Sequence, residues 1–466
     1  MMMHCQNKSN LLKTEIRESI ALSIPLATSQ LAQSATGFVD TVMMGWMGPN
    51  TLAAGGLAAA LFMGLWVGCL GLTNGVTALT AEAYGSQNID RIQKITAQGI
   101  ILAFLISLPA MALLTQAGAL MQFSGQSVEI GRNAQIYLSS IAIGFFPSIA
   151  FVVLRGVVSS MNAPRITMVI AIVGLGLNAV GNYILGFGKL GFPVMGLSGL
   201  AIATAMTHWF MFISILLYMR FSPKLRGFRL LSQFPQIDQS LLWKLFKLGL
   251  PIGIAFTAEV GLFTVTTVLM GRLGVSVLAA HQIVFQTIAM IFMLPLGVSY
   301  ATTIRVGQWL GKNDSPGVRR SAFVGMAIGG GIMAISALGL VVFPKVVIGL
   351  YVDLSIPANQ ALVPIATSML TVAAIAQILD GVQTTVAGAL RGLQDTTVPM
   401  VLSFIAFWTV GLSSGYWLGF GLGWGGTGLW MGQSIGITVA SILFVGRFLW
   451  LLKKREVGMK NGELRM

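Results

Sequence analysis

The stretch Pro25–Ala54, PLATSQLAQSATGFVDTVMMGWMGPNTLAA, decides the fold because the chain contains it twice. A second copy, PIGIAFTAEVGLFTVTTVLMGRLGVSVLAA, occupies Pro251–Ala280, and 11 of the 30 aligned positions are identical without a gap. The same offset of 226 residues also places Gly71 opposite Gly297. Self-similarity at one fixed spacing indicates two tandem copies of a single structural unit.

Two further motifs extend the repeat beyond this stretch. The tripeptide Leu-Arg-Gly at 154–156 recurs at 390–392, and Leu-Gly-Phe-Gly at 185–188 recurs at 418–421. Both motifs lie well after the first stretch in each copy. The repeat therefore covers whole halves of the chain.

The composition indicates an integral membrane protein. Of the 466 residues, 55% are apolar and only 9% are charged, and the mean hydropathy is +0.82, whereas soluble domains carry about 25% charged residues. Only two cysteines are present, which predicts neither a disulfide framework nor a zinc site. We predict twelve spans, each long enough to cross about 30 Å of hydrocarbon. Their cores are 22–45, 53–79, 95–117, 135–154, 166–187, 197–219, 248–271, 278–304, 321–343, 362–390, 398–420 and 427–450.

The net charge of +14 raises the possibility of a nucleic-acid partner, but the distribution of the charges excludes it. When alternate loops are assigned to one side of a bilayer, 24 of the 28 basic residues fall on that side. The other side has only Arg132, Lys189, Arg272 and Lys345. This asymmetry is the positive-inside pattern, which predicts cytoplasmic termini in a plasma (inner) membrane protein. The expected macromolecular surroundings are the lipid bilayer, with no nucleic acid.

The predicted fold is an all-α membrane protein of twelve transmembrane helices in two six-helix bundles. Because each half begins with the same orientation, a pseudo-two-fold axis along the membrane normal should relate the bundles. A monomer is the expected state of such a two-lobed chain. The predicted segments are an N-terminal tail at 1–14, an N-lobe at 15–220, a cytoplasmic linker at 221–247, a C-lobe at 248–452 and a C-terminal tail at 453–466.

Three acids interrupt otherwise apolar spans: Asp40, Glu259 and Asp380. A charged side chain at mid-bilayer costs at least about 2.5 kcal/mol on insertion scales. None of the three has Lys or Arg three or four residues away on its own helix, which disfavours a structural ion pair. These acids are therefore candidates for binding a proton or a cation.

Polar side chains accompany the acid of the first half. Gln33, Thr36 and Asp40 share one helix face, and Asn178 and Asn182 share a face of the fifth span. Amides in hydrocarbon need hydrogen-bond partners. They predict either interhelical packing contacts or a polar site that includes the acid.

The second half offers a comparable set around Glu259 and Asp380. If the two acids meet, they share a proton or hold a hard cation such as Na⁺, which makes them a tentative metal site. Further polar candidates are Gln377, Gln383, Thr384, His281 and Gln282. Pro25 and Pro251, which open the repeated stretch, are candidate hinges.

Four segments resemble a known family. They are VDTVMMG at 39–45, TAEVGLF at 257–263, LAAHQI at 278–283 and LDGVQTTVAGALRGLQDT at 379–396. Together with the Asn178/Asn182 pair, they are similar to the NorM branch of the multidrug and toxic compound extrusion (MATE) family. The resemblance extends over nearly the whole chain.

The resemblance implies an antiporter that exports cationic or amphipathic drugs in exchange for Na⁺ or H⁺, with no cofactor besides the coupling ion and no enzymatic activity. It places Asp40, Asn178 and Asn182 in an N-lobe proton or cation site, and Glu259 and Asp380 in a C-lobe cation site. The presence of both sets favours Na⁺, and leaves H⁺ open.

Three other functions fit the sequence less well. A flippase for lipid-linked oligosaccharides, from the same wider superfamily, needs bases in its cavity to hold pyrophosphate, whereas here every base is predicted in a loop, a tail or a span end. An intramembrane aspartyl enzyme using Asp40 and Asp380 lacks GxGD, HExxH and nucleophile-elbow motifs. A passive channel does not explain acids in both halves without a filter motif.

Overall fold

The computed structural model describes residues 2–118, 128–232 and 237–460, with side chains in 10–118, 128–232, 237–356 and 359–457. Within these ranges all regular structure is helical and no strand occurs, which confirms the predicted all-α class. The helices are α1 Met2–Trp46, α2 Pro49–Gly85, α3 Ile89–Thr115, α4 Val128–Ala142, α5 Phe145–Ser160, α6 Pro164–Gly186, α7 Gly196–Phe221, α8 Gln239–Arg272, α9 Val275–Gly311, α10 Ser315–Val342, α11 Pro344–Gly349, α12 Pro357–Gln360, α13 Leu362–Gly392, α14 Thr397–Gly421 and α15 Gly425–Lys460.

Each of the twelve predicted spans coincides with one of these helices or with a bent pair. Ten helices in the described ranges are long and apolar enough to cross a membrane, and α4 with α5, bent by 47°, forms an eleventh span. The remaining predicted span, 22–45, lies in α1, whose apolar run is interrupted by amide and hydroxyl side chains. The chain is thus a multi-pass membrane protein.

The two copies of the repeated stretch form the same local structure. In each copy a long helix with an internal proline ends, and the next long helix begins at once. Gly48 at the first junction has φ 115° and Gly274 at the second has φ 119°. These angles strain any residue with a Cβ, which explains why the repeat has glycine at both positions.

The helices form two compact units. The first unit is Thr28–Ile254, and the second unit is Met1–Ala27 together with Ala255–Met466. Both boundaries fall inside a long helix, α1 or α8. They come two and three residues after Pro25 and Pro251, where the helix loses a backbone hydrogen bond.

This division differs from the predicted lobes at 15–220 and 248–452. The start of α1 packs within the second unit, and the start of α8 packs within the first. The sequence repeat predicted the number of units, whereas their boundaries depend on which helix each of these segments contacts.

Close backbone contacts hold the starts of α1 and α8 in place. A Cβ on Gly297 of α9 would lie 2.5 Å from Cα of Ala27, and a Cβ on Gly71 of α2 would lie 2.2 Å from Cα of Gly253. The two pairs are equivalent in the repeat, since each partner is displaced by 226 residues. Small residues at these positions allow helices to approach closely in a membrane.

The predicted tails are largely helical. Residues of the N-terminal tail 1–14 belong to α1, which begins at Met2, and the C-terminal tail 453–466 is helical as far as Lys460. Residue 1 and residues 461–466 lie outside the described residues.

The predicted linker 221–247 also ends in a helix. Since α8 begins at Gln239, the amphipathic segment predicted at 241–247 is the first part of a continuous helix that enters the seventh span. Residues 233–236 of the linker lie outside the described residues.

Candidate functional site

Asp40 of α1 belongs to a hydrogen-bonded ring of four buried side chains, together with Asn178, Asn182 and Thr204. Asn182 Nδ2 donates to Asp40 Oδ1 at 2.6 Å, and Thr204 Oγ1 donates to Asp40 Oδ2 at 3.0 Å. Asn178 Nδ2 donates to Thr204 Oγ1 at 3.0 Å, and Asn178 Oδ1 accepts from Asn182 Nδ2 at 3.2 Å. Neutral donors therefore bind both carboxylate oxygens.

Three helices of the first unit position this ring. Asn178 and Asn182 are one turn apart on α6, and Asn182 begins a wider, π-helical turn, Asn182–Gly186. Such turns are frequent at functional sites because they re-aim side chains. Thr204 comes from α7, and Asp40 from the part of α1 that belongs to the first unit.

The ring holds a carboxylate without a base. Asp40 is 5% exposed, and among the residues described no Lys or Arg acts on it. A buried carboxylate with only neutral donors is costly when ionised. It is suited to bind a proton or a monovalent cation, and Asn182 Oδ1, which has no partner within the described ranges, is a further free oxygen.

Glu259 of α8 and Asp380 of α13 come close to each other in the second unit. Glu259 acts electrostatically on Asp380, and Thr384 lies within hydrogen-bonding reach of Asp380. Two close carboxylates resist being ionised together, so the pair can share a proton. Carboxylate and hydroxyl oxygens are also the ligands that hard cations prefer, so these residues fit Na⁺ equally well.

Arg391, at the end of α13, is buried beside this pair. Its guanidinium carbon lies 5.8 Å from the ring centroid of Phe256 and 5.7 Å from that of Tyr300. Its Nη2 donates to Ser299 Oγ at 2.6 Å, and its charge acts on Glu259. With both acids ionised, the three side chains carry a net charge of −1, which one proton or one Na⁺ neutralises.

Gln33 and Thr36 lie on the same helix as Asp40 but are not part of its ring. Gln33 Nε2 donates to Ser29 Oγ at 3.3 Å, and Thr36 Oγ1 donates to the carbonyl of Ala32 at 3.1 Å. Both bonds are local, along the helix. The stripe predicted from the sequence is a helix face, and only its last residue enters the site.

On α13, Gln377 and Gln383 are both buried. Gln383 Oε1 accepts from Thr384 Oγ1 at 3.3 Å. Neither amide atom of Gln377 has a hydrogen-bond partner in the described part of the chain. Gln377 therefore offers an amide oxygen and an amide nitrogen one turn before Asp380.

His281 and Gln282, adjacent on α9, lie in different environments. His281 is fully buried, whereas Gln282 is exposed. His281 Nε2 lies 3.0 Å from Thr267 Oγ1 of α8. The histidine thus belongs to the interior of the second unit.

Three buried residues were not predicted from the sequence: Thr204, which bonds Asp40; Arg391, whose charge acts on Glu259; and Glu15, which pairs with Arg305. A sequence signal was present near Thr204. The segment Gly-Leu-Ser-Gly-Leu at 196–200 of α7, four residues before it, recurs as Gly-Gly-Thr-Gly-Leu at 425–429 of α15. Arg391 was missed because only bases on the same helix were compared with Glu259. Glu15 was assigned to the polar start of the chain, yet it is buried.

Comparison with known proteins agrees with the family resemblance found in the sequence. The MatE family model matches residues 25–184 and 251–417. The chain is 45% identical to the probable multidrug resistance protein NorM of Synechococcus sp. over 444 residues, covering 95% of this chain and 96% of that protein. It is 43% identical to the protein of the same description from Synechocystis sp., with 96% of both chains covered.

Solved structures show the same fold. The eukaryotic MATE transporter AtDTX14 superposes with a TM-score of 0.84 at 20% identity, covering 97% of this chain and 100% of that one. An outward-facing multidrug resistance MATE transporter of the MOP superfamily superposes with a TM-score of 0.83, covering 96% and 98% of the two chains. The two family-model matches begin at the repeated prolines, as the internal repeat predicts.

Proposed function

The chain belongs to the MatE family, and from that premise we propose that it is a secondary active antiporter that exports organic cations or amphipathic drugs in exchange for Na⁺ or H⁺. The names of its NorM relatives support multidrug export. It acts as a monomer in the plasma (inner) membrane with both termini in the cytoplasm. It moves its substrate without converting it chemically.

The observation that carries this proposal is the buried Asp40, bound only by neutral donors. A carboxylate with a guanidinium partner would be neutralised permanently. Asp40 instead changes its charge when a coupling ion binds or leaves. The pair Glu259 and Asp380 supplies a second place where one bound cation cancels a net charge of −1.

The proposed cycle is alternating access. Binding of the coupling ion from outside neutralises the acids and lowers the affinity for a cationic drug, which then leaves. Return to the inward state releases the ion and restores the negative charge. One charge crossing about 100 mV supplies about 2.3 kcal/mol, enough for roughly fifty-fold accumulation.

Liposomes that hold purified protein and ethidium, a fluorescent organic cation, test the proposal. Dye movement is followed after imposing an inward Na⁺ gradient or, separately, a pH gradient. Movement under the gradient that drives it should be lost in Asp40→Asn if the first unit couples the ion, and in Glu259→Gln and Asp380→Asn if the second unit does. Asp353→Asn, in an exposed loop, is the matched control and should behave as wild type.

The pattern of losses identifies the coupling site. Na⁺-driven movement lost in Asp380→Asn assigns coupling to the second unit, and pH-driven movement lost in Asp40→Asn assigns it to the first. If neither gradient moves any of several cationic dyes, multidrug antiport is wrong. An assay for lipid-linked oligosaccharide flipping would then be the next test.

A further inference from the structure

Bases collect around one tryptophan where α9 ends and α10 begins. Lys312 Nζ lies 4.6 Å from the ring centroid of Trp309, and Arg320 Cζ lies 5.3 Å from the same centroid. Arg305 Cζ lies 5.6 Å from it. These distances are within the range of attraction between a cation and an aromatic ring. Trp309 is half-buried and Lys312 is exposed, so the group is open at the surface of the second unit. We call Trp309, Lys312 and Arg320 the basic cluster.

The equivalent turn of the first half has the same backbone without the ring. The offset of 226 residues places Gln87 opposite Asn313, and both have φ 55°. At the same offset Ala83 occupies the position of Trp309. The ring around which the bases collect is therefore specific to the second half, and the turn itself does not require it.

The acids close to the basic cluster are already bound and leave a positive charge. Glu15 accepts two hydrogen bonds of 2.8 Å from Arg305, one from Nε and one from Nη2. Asp314 Oδ1 accepts a backbone N–H of α10 at 3.0 Å. Within the described ranges neither Lys312 nor Arg320 forms an ion pair. With these three bases and two acids ionised, the net charge is +1, which one anion neutralises.

Arg320 also has a buried donor without an acceptor. Its Nε is buried, and no described residue accepts a hydrogen bond from it. Such a group is costly to leave unsatisfied, so it indicates an acceptor from outside the chain. Guanidinium N–H groups match the geometry of phosphate oxygens, and a lysine ammonium adds a point charge. The chemistry of the basic cluster thus fits a phosphate group.

The position of the basic cluster along the chain determines which phosphate it meets. The eighth predicted span ends at 304 and the ninth begins at 321, so the cluster lies at the level of the lipid headgroups, on the side predicted to be cytoplasmic. Tryptophan favours this level of a bilayer. Basic pockets on the cytoplasmic side attract anionic lipid headgroups. The phosphodiester of an anionic phospholipid is therefore the expected ligand.

An exposed apolar row on α10 leads from the basic cluster into the hydrocarbon. Phe323, Ala327, Gly331 and Ile335 follow each other at intervals of four residues, and all are exposed. A Cβ on Gly331 would meet no atom within 4 Å. The row is about 18 Å long, slightly more than one leaflet of the hydrocarbon. Its small central residues leave room for an acyl chain beside the helix.

We propose that the basic cluster binds the headgroup of an anionic phospholipid, with one acyl chain along the row from Phe323 to Ile335. The phosphodiester oxygens accept hydrogen bonds from Arg320 and Lys312. Arg319, exposed one turn before Phe323, adds a further positive charge beside the headgroup. The site is separate from the proposed antiport, so binding can be measured without transport.

Fluorine NMR of full-length protein labelled with 5-fluorotryptophan tests the site in detergent micelles. The resonance of Trp309 is identified by its loss in Trp309→Phe. We expect dioleoylphosphatidylglycerol to shift this resonance, whereas equal amounts of dioleoylphosphatidylcholine or inorganic phosphate leave it in place. K312Q/R320Q should bind phosphatidylglycerol about thirtyfold more weakly by native mass spectrometry, since each base contributes about fivefold. K224Q/R226Q, which removes two exposed bases of the linker, is the matched control and should bind as wild type.

Three results would overturn the proposal. An equal shift of Trp309 with inorganic phosphate would assign the basic cluster to a free anion. Unchanged affinity for phosphatidylglycerol in folded K312Q/R320Q, or equal weakening in K224Q/R226Q, would show that the lipid does not bind at these bases. Melting curves establish folding. Lys312→Gln alone, at an exposed position, provides the test if the double variant does not fold, and an affinity within twofold of wild type would contradict the expected fivefold loss.

Discussion

Glu15 and Arg305, 290 residues apart in sequence, form a two-armed ion pair inside the second unit. Arg305 Nε donates to Glu15 Oε1 and Nη2 donates to Oε2, both at 2.8 Å. Trp309 Nε1 and Ser321 Oγ also donate to the carboxylate, at 3.0 and 2.5 Å. The pair fastens the start of α1 to α9 and α10, whereas the part of α1 that bears Asp40 belongs to the first unit.

Removing the acid should destabilise the protein strongly. The side chain of Glu15 is only 2% exposed and that of Arg305 10%, so Glu15→Ala leaves a nearly buried guanidinium without its counter-charge. Such a loss costs about 3–5 kcal/mol. We expect a lower melting temperature in detergent, with E15L/R305M closer to wild type because no charge is left unpaired. Glu18→Gln, one turn away on α1, is the control, and equal melting of all variants would show that the pair does not stabilise the fold.

The same pair predicts how stability depends on pH. Burial alone would raise the pKa of Glu15, but hydrogen bonds and charge from Arg305, with bonds from Ser321 and Trp309, lower the pKa below its usual value. An acid with a lowered native pKa stabilises the fold above its unfolded pKa and loses this effect as the pH falls through the native value. The melting difference between wild type and Glu15→Gln should therefore be largest near pH 7 and shrink below about pH 4.3. A difference that grows on acidification would contradict this assignment.

The internal repeat made the architecture readable from sequence. The apolar runs predicted the spans, and the aligned stretch predicted two equivalent halves, in which the identical glycines Gly48 and Gly274 form equivalent junctions. The division into units could not be predicted in this way, because it depends on the contacts of the N-terminal parts of α1 and α8, as far as Ala27 and Ile254. Those contacts use small residues such as Ala27 and Gly253, which carry no distinctive signal in an apolar sequence.

The sites could be predicted only in part, because an acid is conspicuous in an apolar sequence whereas its hydrogen-bond partners are not. Asp40 and the asparagines stood out because carboxylates and amides are rare in hydrocarbon. Thr204 did not, since threonines are common in membrane helices and most bond their own backbone, as Thr207 does with Ala203.

Close packing of α8 against α2 gives a prediction about glycine. A Cβ on Gly249 would lie 1.9 Å from the carbonyl oxygen of Leu72, a backbone atom that cannot move aside. Gly249→Ala should therefore force the helices apart and cost about 1–3 kcal/mol or more. Thermal melting in detergent measures the change. Gly37→Ala on α1, where a Cβ meets no atom within 4 Å, is the matched control and should melt at or above the wild-type temperature.

Thr204 should tune the affinity of the first unit for its coupling ion. Thr204→Val removes a hydrogen bond to Asp40 that favours the ionised, empty carboxylate, and bonds to charged groups contribute about 1.5–3 kcal/mol. The coupling ion should then be held about tenfold more tightly, and turnover should fall because release slows. Half-maximal ion concentration and maximal rate of dye exchange in liposomes measure both. Thr204→Ser, which keeps the hydroxyl, should resemble wild type, and weaker ion binding in Thr204→Val would show that the bond favours the occupied state.

Arg391 should set how many charges the second unit accepts. Arg391→Gln leaves Glu259 and Asp380 without the positive charge that acts on Glu259, so the empty site changes from −1 to −2. Electrostatic attraction for a cation then increases, and divalent ions gain more than monovalent ones. We expect a lower half-maximal Na⁺ concentration for dye exchange and new inhibition by millimolar Mg²⁺ or Ca²⁺, with Arg391→Lys retaining wild-type selectivity. Because Arg391 also bonds Ser299, melting curves must first show that the variants fold. Folded Arg391→Gln protein with unchanged Na⁺ dependence and no divalent inhibition would mean that Arg391 anchors α13 to α9 and leaves the charge of the site unaffected.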